Sequence, residues 1–354
     1  MEHSGSPGPA HQVLDVVVMG ESLIDVVTLP EGTTEHPGGS PANVAFGLGR
    51  LGVSTGLHTA LGKDRRGAVL EKHLASAGVA LLPGSHLLEK TSTATATIAS
   101  DGSASYAFEI TWELNALGDA FVPPKVFHTG SIASFLSPGA GRVKAFLQRI
   151  PSGCTVTYDP NIRPDLLGSH AEAQSIFEDL VHLTNVVKLS DEDAQWLYPR
   201  RTLEETAGHI LNLGAELAVI TQGSNGSLLA TCTGSLSVPA VRTEVVDTIG
   251  AGDSYMSALI LGLLTRGTDG MAPSDIEQLG LTAATAAAIT VSRPGANPPS
   301  FEELRNRMGQ QQEGPSAVCR TRPADPVPRG EGGSGSAGTR PAAVRRRRGG
   351  APAR

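Results

Sequence analysis

Residues 245 to 267, VVDTIGAGDSYMSALILGLLTRG, combine a β-branched lead, a glycine-rich turn and a long apolar segment. This pattern predicts a strand that ends at about Val246, a turn over Gly250 and Gly252, and a helix through the remaining residues. The backbone N–H groups from Gly250 to Asp253 would then open the helix without intrahelical partners, at its positive end. Such an end favours an anion, and glycine lets a ligand approach the backbone closely.

The carboxylate of Asp253 stands where this anion would bind. A carboxylate and a bound anion would repel each other, unless Asp253 and the glycine-rich turn act on two different reactants of one reaction. Asp253 would take the proton of an attacking alcohol, while the amides of Gly250, Ala251, Gly252 and Asp253 carry the charge of the transferring group. The alternative is a capped turn in which Asp253 only favours the helix start. A P-loop is excluded, because the chain contains no GxxxxGK[ST] motif.

Outward from this stretch, short β-branched runs alternate with helical segments over most of the chain. Examples of these runs are KVFHTGSI, TVTYDP, NVVKLS and LAVITQG. This alternation predicts a three-layer α/β/α fold with a central, mostly parallel sheet. Two stretches lack intervening helices, and one of them is centred on Asp101-Gly102, a type I′ hairpin signal. They predict a small antiparallel β lid at about residues 24–40 and 91–112.

The segment GLGRLG, with Gly47, Gly49 and Gly52, matches the GxGxxG pattern of dinucleotide-binding folds. That pattern must lie on the turn between a strand and a helix. Here Ser40 is expected as the N-cap of a helix that continues through the segment, and Gly52 as its stop. We therefore do not interpret these glycines as a nucleotide site.

Composition narrows the function further. The 354-residue chain has a formal charge of −7, although nine arginines lie in residues 313–354, so the rest is more acidic still. An acidic body does not favour nucleic-acid binding. The three cysteines lack CxxC spacing, which argues against a zinc site and a disulfide framework. No apolar run reaches the roughly 18 residues of a membrane span, and no signal peptide is evident, so a cytoplasmic location is expected.

Both ends differ from the middle of the chain. Residues 1–11 are rich in Gly, Pro and Ser, and residues 311–354 are rich in Arg, Pro and Gly. Such compositions bury too little apolar surface to order themselves. We expect both ends to be disordered and the folded domain to span about 12–310.

Two motifs together identify a family. GGSPANVAFGLGRLG and DTIGAGDSY resemble the N-terminal and C-terminal signatures of the ribokinase-like (PfkB) sugar kinases, in the right order and about 200 residues apart. The resemblance covers nearly all of residues 13 to 300, with Tyr255 where phenylalanine is more usual. It implies the ribokinase-like fold and ATP-dependent phosphorylation of a sugar hydroxyl, with Asp253 as base and Gly250 to Asp253 as anion hole.

The same resemblance implies a sugar site. Asp25 and Asn43 would bind hydroxyl groups, Gly38 and Gly39 would form the lid hinge, and Phe108 would cover the sugar face. Each has a simpler interpretation: Asp25 as a turn residue, Asn43 as a first-turn helix residue and Phe108 as an ordinary strand aromatic.

A nucleotide site is implied as well. YDPNIRP resembles the family's D-x-N-x-R stretch and places Arg163 near the transferring phosphate, with a surface salt bridge as the alternative. In KLSDED, Ser190 and Asp193 stand where the family has N-x-x-E, so the magnesium role falls to Asp193 or the adjacent Glu192, through water. The implied ATP-binding set is Lys188, Ser190, Thr221, Gly223, Gly226 and Gly252. The backbone carbonyls of Asp247 and Ile249 resemble a monovalent-cation site, which would hold K⁺.

The substrate follows from the family pattern. GESLIDVV, GGSPANVAFGLGRLG, YDPNIRP and KLSDED together are most similar to the fructokinase branch, so fructose is the expected substrate. Ribokinase and 2-keto-3-deoxygluconate kinase are alternatives within the family, and a non-catalytic sugar sensor of the same fold is a third. The resemblance also implies a homodimer through the lid.

Overall fold

The computed structural model describes residues 13–98, 104–118, 121–268 and 270–312. Within them the chain forms thirteen strands, which divide between a nine-stranded sheet and a four-stranded sheet. The strands are β1 Val16–Met19, β2 Leu23–Leu29, β3 Gly32–Gly38, β4 Thr55–His58, β5 Ala80–Leu81, β6 Thr93–Ile98, β7 Ala104–Glu109, β8 Val126–Gly130, β9 Thr155–Asp159, β10 Val186–Ser190, β11 Leu217–Thr221, β12 Ser227–Thr231 and β13 Gly234–Val238.

The large sheet has the strand order β13-β12-β11-β10-β9-β8-β1-β4-β5. From β5 to β11 all neighbours are parallel, and β12 and β13 add an antiparallel edge. The central strands β1, β8, β9 and β10 are buried along nearly their whole length, because both faces of a parallel sheet are covered. The predicted mostly parallel sheet is confirmed.

Helices cover both faces and confirm the three layers. One apolar cluster joins the sheet to α3, α4, α5 and α6, and a second joins the opposite face to α1, α2, α7, α8 and α9. The helices are α1 Ser40–Arg50, α2 Arg65–Ser76, α3 Gly139–Leu147, α4 His170–Val181, α5 Asp191–Leu197, α6 Leu203–Asn212, α7 Ala251–Arg266, α8 Pro273–Val291 and α9 Phe301–Gln312. None of these described helices combines the length and apolar character that a membrane crossing requires.

The small sheet is the expected lid, with strand order β3-β2-β6-β7. Its outer pairs are antiparallel, but the central pair β2 and β6 is parallel, so the lid is mixed and not purely antiparallel. A parallel pair arises because α1, β4, α2 and β5 lie between these two strands in sequence. One face of the lid packs Ile24 and Val26 against Leu61 and Leu70. The predicted turn at Asp101-Gly102 lies outside the described residues.

The predicted strand ending at Val246 is wrong. Residues 241–247 form no strand. The N–H groups of Val246 and Asp247 donate instead to the carbonyl of Val291, the last residue of α8, at 2.8 and 3.1 Å. The β-branched lead thus finds its hydrogen bonds at a helix end, a long-range contact that local propensity does not reveal.

The glycines of GLGRLG lie in or just after helix α1, and two of them allow the helix to pack closely against its neighbours. A side chain at Gly47 would collide with Ser257 of α7, and one at Gly49 would collide with the backbone of Ala77. Gly52, with φ +80, ends the helix as expected. The expected boundary at residue 310 falls within α9, which continues to Gln312.

Gly47→Ala tests the close approach of α1 to α7. Alanine is the better helix former, so without the collision it would stabilise the helix by about 1 kcal/mol. We expect instead a loss of about 1–3 kcal/mol in the free energy of unfolding, because the added methyl group overpacks the contact. The measurement is urea denaturation.

The matched control is Gly208→Ala, since an added Cβ at Gly208 in α6 meets no heavy atom within 4 Å. We expect this variant to be neutral or more stable. Equal effects of the two substitutions would contradict the packing role of Gly47.

Candidate active site

The site lies where the strand order of the large sheet reverses. After β1 the chain adds β4 on one side and later β8 on the other, and at such a switch point a crevice is expected at the carboxyl ends of the two strands β1 and β8. Glycines stand at both ends. A side chain at Gly20 would collide with Pro41 of α1, and one at Gly130 would collide with the backbone of Asp159. These glycines let the start of α1 and the end of β9 approach the crevice closely.

Asp253 lies in the first turn of α7 and is 9% exposed. Its Oδ1 accepts a hydrogen bond of 2.6 Å from the Ser40 hydroxyl, and its Oδ2 accepts one of 2.9 Å from the Asn43 side-chain amide. The prediction that Ser40 caps α1 is therefore wrong. Gly39 occupies the N-cap with φ 96 and no side-chain cap bond, and the Ser40 hydroxyl is committed to Asp253.

The amides that open α7 are largely free. Gly250 is the N-cap residue in a left-handed conformation with φ 73. Within the described part of the chain, the N–H groups of Gly250, Gly252 and Asp253 have no hydrogen-bond partner. The N–H of Ala251 is an exception to the prediction, because it donates to the Thr248 carbonyl at 3.3 Å. Three donors at the positive end of a helix form a cradle suited to a phosphoryl group.

A buried ion pair adjoins this cradle. The Lys188 ammonium donates to Oδ2 of Asp159 at 2.8 Å, and the two side chains are 5% and 1% exposed. A Cβ placed on Gly252 would lie 3.0 Å from the Lys188 nitrogen. The expected ATP-binding residue Lys188 therefore lies beside the anion cradle.

Asp159 was missed by the sequence analysis, although it is the first residue of the D-x-N-x-R stretch. Its Oδ1 is buried and has no hydrogen-bond partner in the described structure. Burial raises the pKa of Asp159 to about 6, while Lys188 opposes this shift. Burial lowers the pKa of Lys188, but the charges of Asp159, Asp193 and Asp253 outweigh it and raise the net value above the ordinary one. Lys188 is therefore a cation at neutral pH.

Asp25 lies on the lid strand β2. In the lid sheet it pairs with His36 on β3 and Ala94 on β6, and Ala94 pairs with Phe108 on β7. Directly paired residues share one face of a sheet, so Asp25 and Phe108 lie on the same face of the lid. A side chain at Gly38, the expected hinge position, would collide with the Asp25 carboxylate, which explains why glycine stands there.

Electrostatics connect Asp25 with the helix site. Burial raises the pKa of Asp25 to about 6, the charges of His36 and Arg163 lower it, and Asp253 raises it further. Asp25, Arg163 and Asp253 are thus within electrostatic reach of one another. The Arg163 guanidinium is exposed and donates within its own turn, to the side chain of Asn161 at 2.8 Å and to nearby carbonyls. In the described structure it makes no hydrogen bond to Asp253 or to the cradle.

The expected magnesium residues differ from each other. Asp193 is buried and forms a capping box with Ser190, whose N–H donates to Oδ2 at 2.9 Å. Its Oδ1 accepts the N–H of Ile162 at 2.8 Å. Glu192 is exposed. In the described residues no group of three or more metal-binding side chains is present. Because both oxygens of Asp193 already accept a backbone N–H, only their remaining lone pairs are available to a hydrated ion.

The expected nucleotide loop connects β11 to β12. Thr221 ends β11, and Gly223 and Gly226 both have positive φ, 52 and 94. Near the cradle, the Asp247 carboxylate accepts the N–H of Ile249 at 3.0 Å and that of Gly295 at 2.8 Å. The segment expected to supply cation-binding carbonyls is therefore joined to the loop that contains Gly295.

One further buried acid was missed. Glu21 follows β1, is 3% exposed, and accepts the N–H of Ala133 at 3.1 Å. The pair Gly-Glu after an apolar run was visible in GESLIDVV, but no local signal shows that its side chain turns inward.

Comparisons with known proteins agree with this geometry. The profile described as pfkB family carbohydrate kinase matches residues 13–303. A fructokinase of Rhizobium leguminosarum bv. trifolii is 32% identical over 262 residues, which are 70% of this chain and 79% of that protein.

Solved structures show the same similarity. A fructokinase from Xylella fastidiosa with bound ATP superposes with a TM-score of 0.71 at 25% identity, covering 84% of this chain and 99% of that one. A fructokinase double mutant from Vibrio cholerae O395, with fructose, ADP and potassium ion bound, gives 0.71 at 25% identity, covering 82% and 97%. The chain thus belongs to the pfkB family of ATP-dependent carbohydrate kinases.

Proposed function

We propose that this kinase transfers a phosphoryl group from ATP to fructose and forms fructose 6-phosphate. The observation that carries the chemistry is the placement of the Asp253 carboxylate beside three free amides at the start of α7. The choice of fructose is supported by the similarity to fructokinases.

Asp253 acts as the general base. Its two oxygens are oriented by Ser40 and Asn43, and its 9% exposure leaves an approach from the crevice. A carboxylate in this position accepts the proton of the sugar hydroxyl as that oxygen attacks phosphorus. Asp253 thus acts on the attacking hydroxyl group, and the amides at the start of α7 act on the phosphoryl group.

The amides of Gly250, Gly252 and Asp253 stabilise charge on the transferring group, with Lys188 as an adjacent cation. ATP supplies the phosphoryl group when bound. Lys188, Ser190 and the loop with Thr221, Gly223 and Gly226 would hold the nucleotide. This chain fits the nucleotide because Gly250 and Gly252 carry no side chains and the three amides of the cradle are unpaired.

Two cations complete the proposal. Mg²⁺ would be held through water by Asp193 or Glu192 and by the phosphates themselves, since Mg²⁺ needs only one or two carboxylates. K⁺ would bind the carbonyls of Asp247 and Ile249. The contact between the loops of Asp247 and Gly295 supports this second site.

On the sugar side, Asp25 and Asn43 bind hydroxyl groups and Phe108 covers the ring. Arg163 would bind the transferring phosphate, and Gly38 and Gly39 would act as the hinge of the lid. The outer part of the same lid face carries Val27, Ala96 and the 66% exposed Tyr106, which pair across the strands. This apolar row supports a homodimer through the lid, and a cytoplasmic location stays a prediction.

The substrate assignment is tested by ADP release from the full-length protein. We expect fructose to give the highest kcat/KM among fructose, ribose, 2-keto-3-deoxygluconate, adenosine and fructose 6-phosphate, and potassium to raise the rate. A higher value for ribose or 2-keto-3-deoxygluconate would replace fructose and leave the kinase chemistry standing. A protein that binds sugar but releases no ADP would support the sensor instead.

Asp253→Asn tests the base. We expect kcat to fall by several orders of magnitude, at or beyond the roughly 10²- to 10⁴-fold typical of a general base, with ATP affinity little changed. Steady-state kinetics and nucleotide titration measure the two effects. Asp179→Asn, at a surface ion pair with Lys144, is the matched control and should leave kcat unchanged. A kcat within tenfold of the parent would remove Asp253 from this role.

The raised pKa of Asp25, about 6, predicts an acid limb in the pH profile of kcat/KM for the sugar. Above this value Asp25 is an ionised acceptor for a sugar hydroxyl; below it the carboxyl is protonated. We expect kcat/KM for the sugar to fall as pH drops through about 6, while KM for ATP changes little. Asp25→Asn should lower kcat/KM at pH 7.5 and abolish this limb. An unchanged limb in the variant would assign it to another group.

A further inference from the structure

The Glu21 side chain bridges the two strands at which the crevice opens. Glu21 lies between the end of β1 and the start of the lid strand β2. Its carboxyl turns into the protein, where Oε2 accepts the N–H of Ala133 at 3.1 Å, in the turn after β8. One buried acid therefore ties the carboxyl end of β1 to that of β8.

The backbone of Glu21 also lies where the chain segment that enters the lid meets the segment that leaves it. We call this meeting point the crossing of the lid connections. A Cβ placed on Gly39, whose φ is 96, would lie 2.7 Å from the Glu21 carbonyl oxygen and 3.1 Å from the Ser22 Cα. The segment entering the lid thus touches the segment leaving it. The next residue, Ser40, donates to Asp253. Two residues, Gly39 and Ser40, therefore connect the backbone of Glu21 with the Asp253 carboxylate.

Among the described residues, no cationic side chain faces the Glu21 carboxyl. The groups that face it are the Ser131 hydroxyl and the Ala133 amide from the turn after β8, the amide of Glu21 itself, and Asp253 from α7. Burial raises the pKa of Glu21 to about 8, and the charge of Asp253 acts in the same direction. A buried carboxyl without a cationic partner favours its neutral form.

We propose that Glu21 is a positioning residue for phosphoryl transfer, which as a protonated acid clamps the crossing of the lid connections onto the turn after β8. Its ionisation places a second negative charge near Asp253 with no cation beside it, and so disturbs the electrostatic setting in which Ser40 orients the base. This inference rests on the proposed function, because it assigns Glu21 a role in the same site. Glu21 itself does not touch the reacting atoms.

The kinetic test uses Glu21→Gln, which keeps the shape of the side chain and an acceptor for the Ala133 N–H but cannot ionise. For the parent we expect kcat/KM for fructose to fall about tenfold from pH 7.5 to pH 9, the loss that follows one ionisation near pH 8. In Glu21→Gln the same change of pH should alter kcat/KM by less than about twofold. KM for ATP should stay constant in both proteins.

The matched control is Glu216→Gln. Glu216 is an exposed carboxylate that accepts a hydrogen bond from Asn185 at the start of β10, far along the chain from the lid. This variant should keep the alkaline fall of the parent. A fall of equal size in the parent and in Glu21→Gln would overturn the positioning role of Glu21.

A second readout does not require activity. The folded protein retains the Glu21 proton, whereas the unfolded chain releases it near the ordinary pKa of 4.5. The stability contributed by the neutral acid is thus full below pH 4.5 and lost as pH rises through about 8. We expect the Tm of the parent to fall relative to that of Glu21→Gln across this interval and the difference to stay constant above it.

The two readouts separate the possible failures. Parallel Tm curves would show that Glu21 holds no proton and would overturn the inference. Diverging Tm curves with identical kinetic profiles would make Glu21 a structural acid only, which also overturns the positioning role. If no sugar is phosphorylated at any pH, the proposed function fails, and the Tm curves still decide whether the buried acid is protonated.

Discussion

The candidate site depends on the contact between α1 and α7. The Ser257 hydroxyl is within hydrogen-bond distance of the Val44 carbonyl, at 3.1 Å, and of the Asp253 carbonyl, at 2.8 Å, and so joins the two helices one turn below the Asp253 carboxylate. Gly47 has no side chain at this point, which permits the approach. At the top of the same contact Ser40 and Asn43 donate to Asp253. Movement of one helix away from the other would separate Asp253 from both donors.

The charges beside this contact follow from the same geometry. Asp159 and Lys188 are adjacent on neighbouring strands and both face the start of α7, where water is excluded. A buried pair is stable only when hydrogen bonds compensate for lost solvation, and removing one partner leaves an uncompensated charge. Here the Asp159 carboxylate keeps one oxygen unbonded, and acidic neighbours keep Lys188 protonated. A fixed cation is thereby held next to Gly252 without any rearrangement of the site.

Sequence reasoning succeeded where the signal is local. The alternation of strands and helices, the start of α7 at Ala251 and the lid strands follow from periodicity and turn residues. It failed where the partner lies far along the chain. Val246 and Asp247 bond to Val291, and Ser40 bonds to a residue 213 positions away instead of capping its own helix. The buried side chains of Glu21 and Asp159 likewise find their partners, Ala133 and Lys188, far along the chain. Propensity describes only what a residue prefers among near neighbours, so long-range hydrogen bonds override it.

The orientation of the Asp253 side chain distinguishes its proposed role as a general base from that of a helix cap. An acid in the first turn of a helix is stabilised by the helix dipole, and as a cap it would accept hydrogen bonds from the amides of its own helix. In this protein its oxygens accept from Ser40 and Asn43 of α1 instead. The amides of Gly250, Gly252 and Asp253 therefore remain available. Because α1 satisfies the carboxylate, α7 can offer its positive end to a second negative group, which is the condition that phosphoryl transfer to an alcohol imposes.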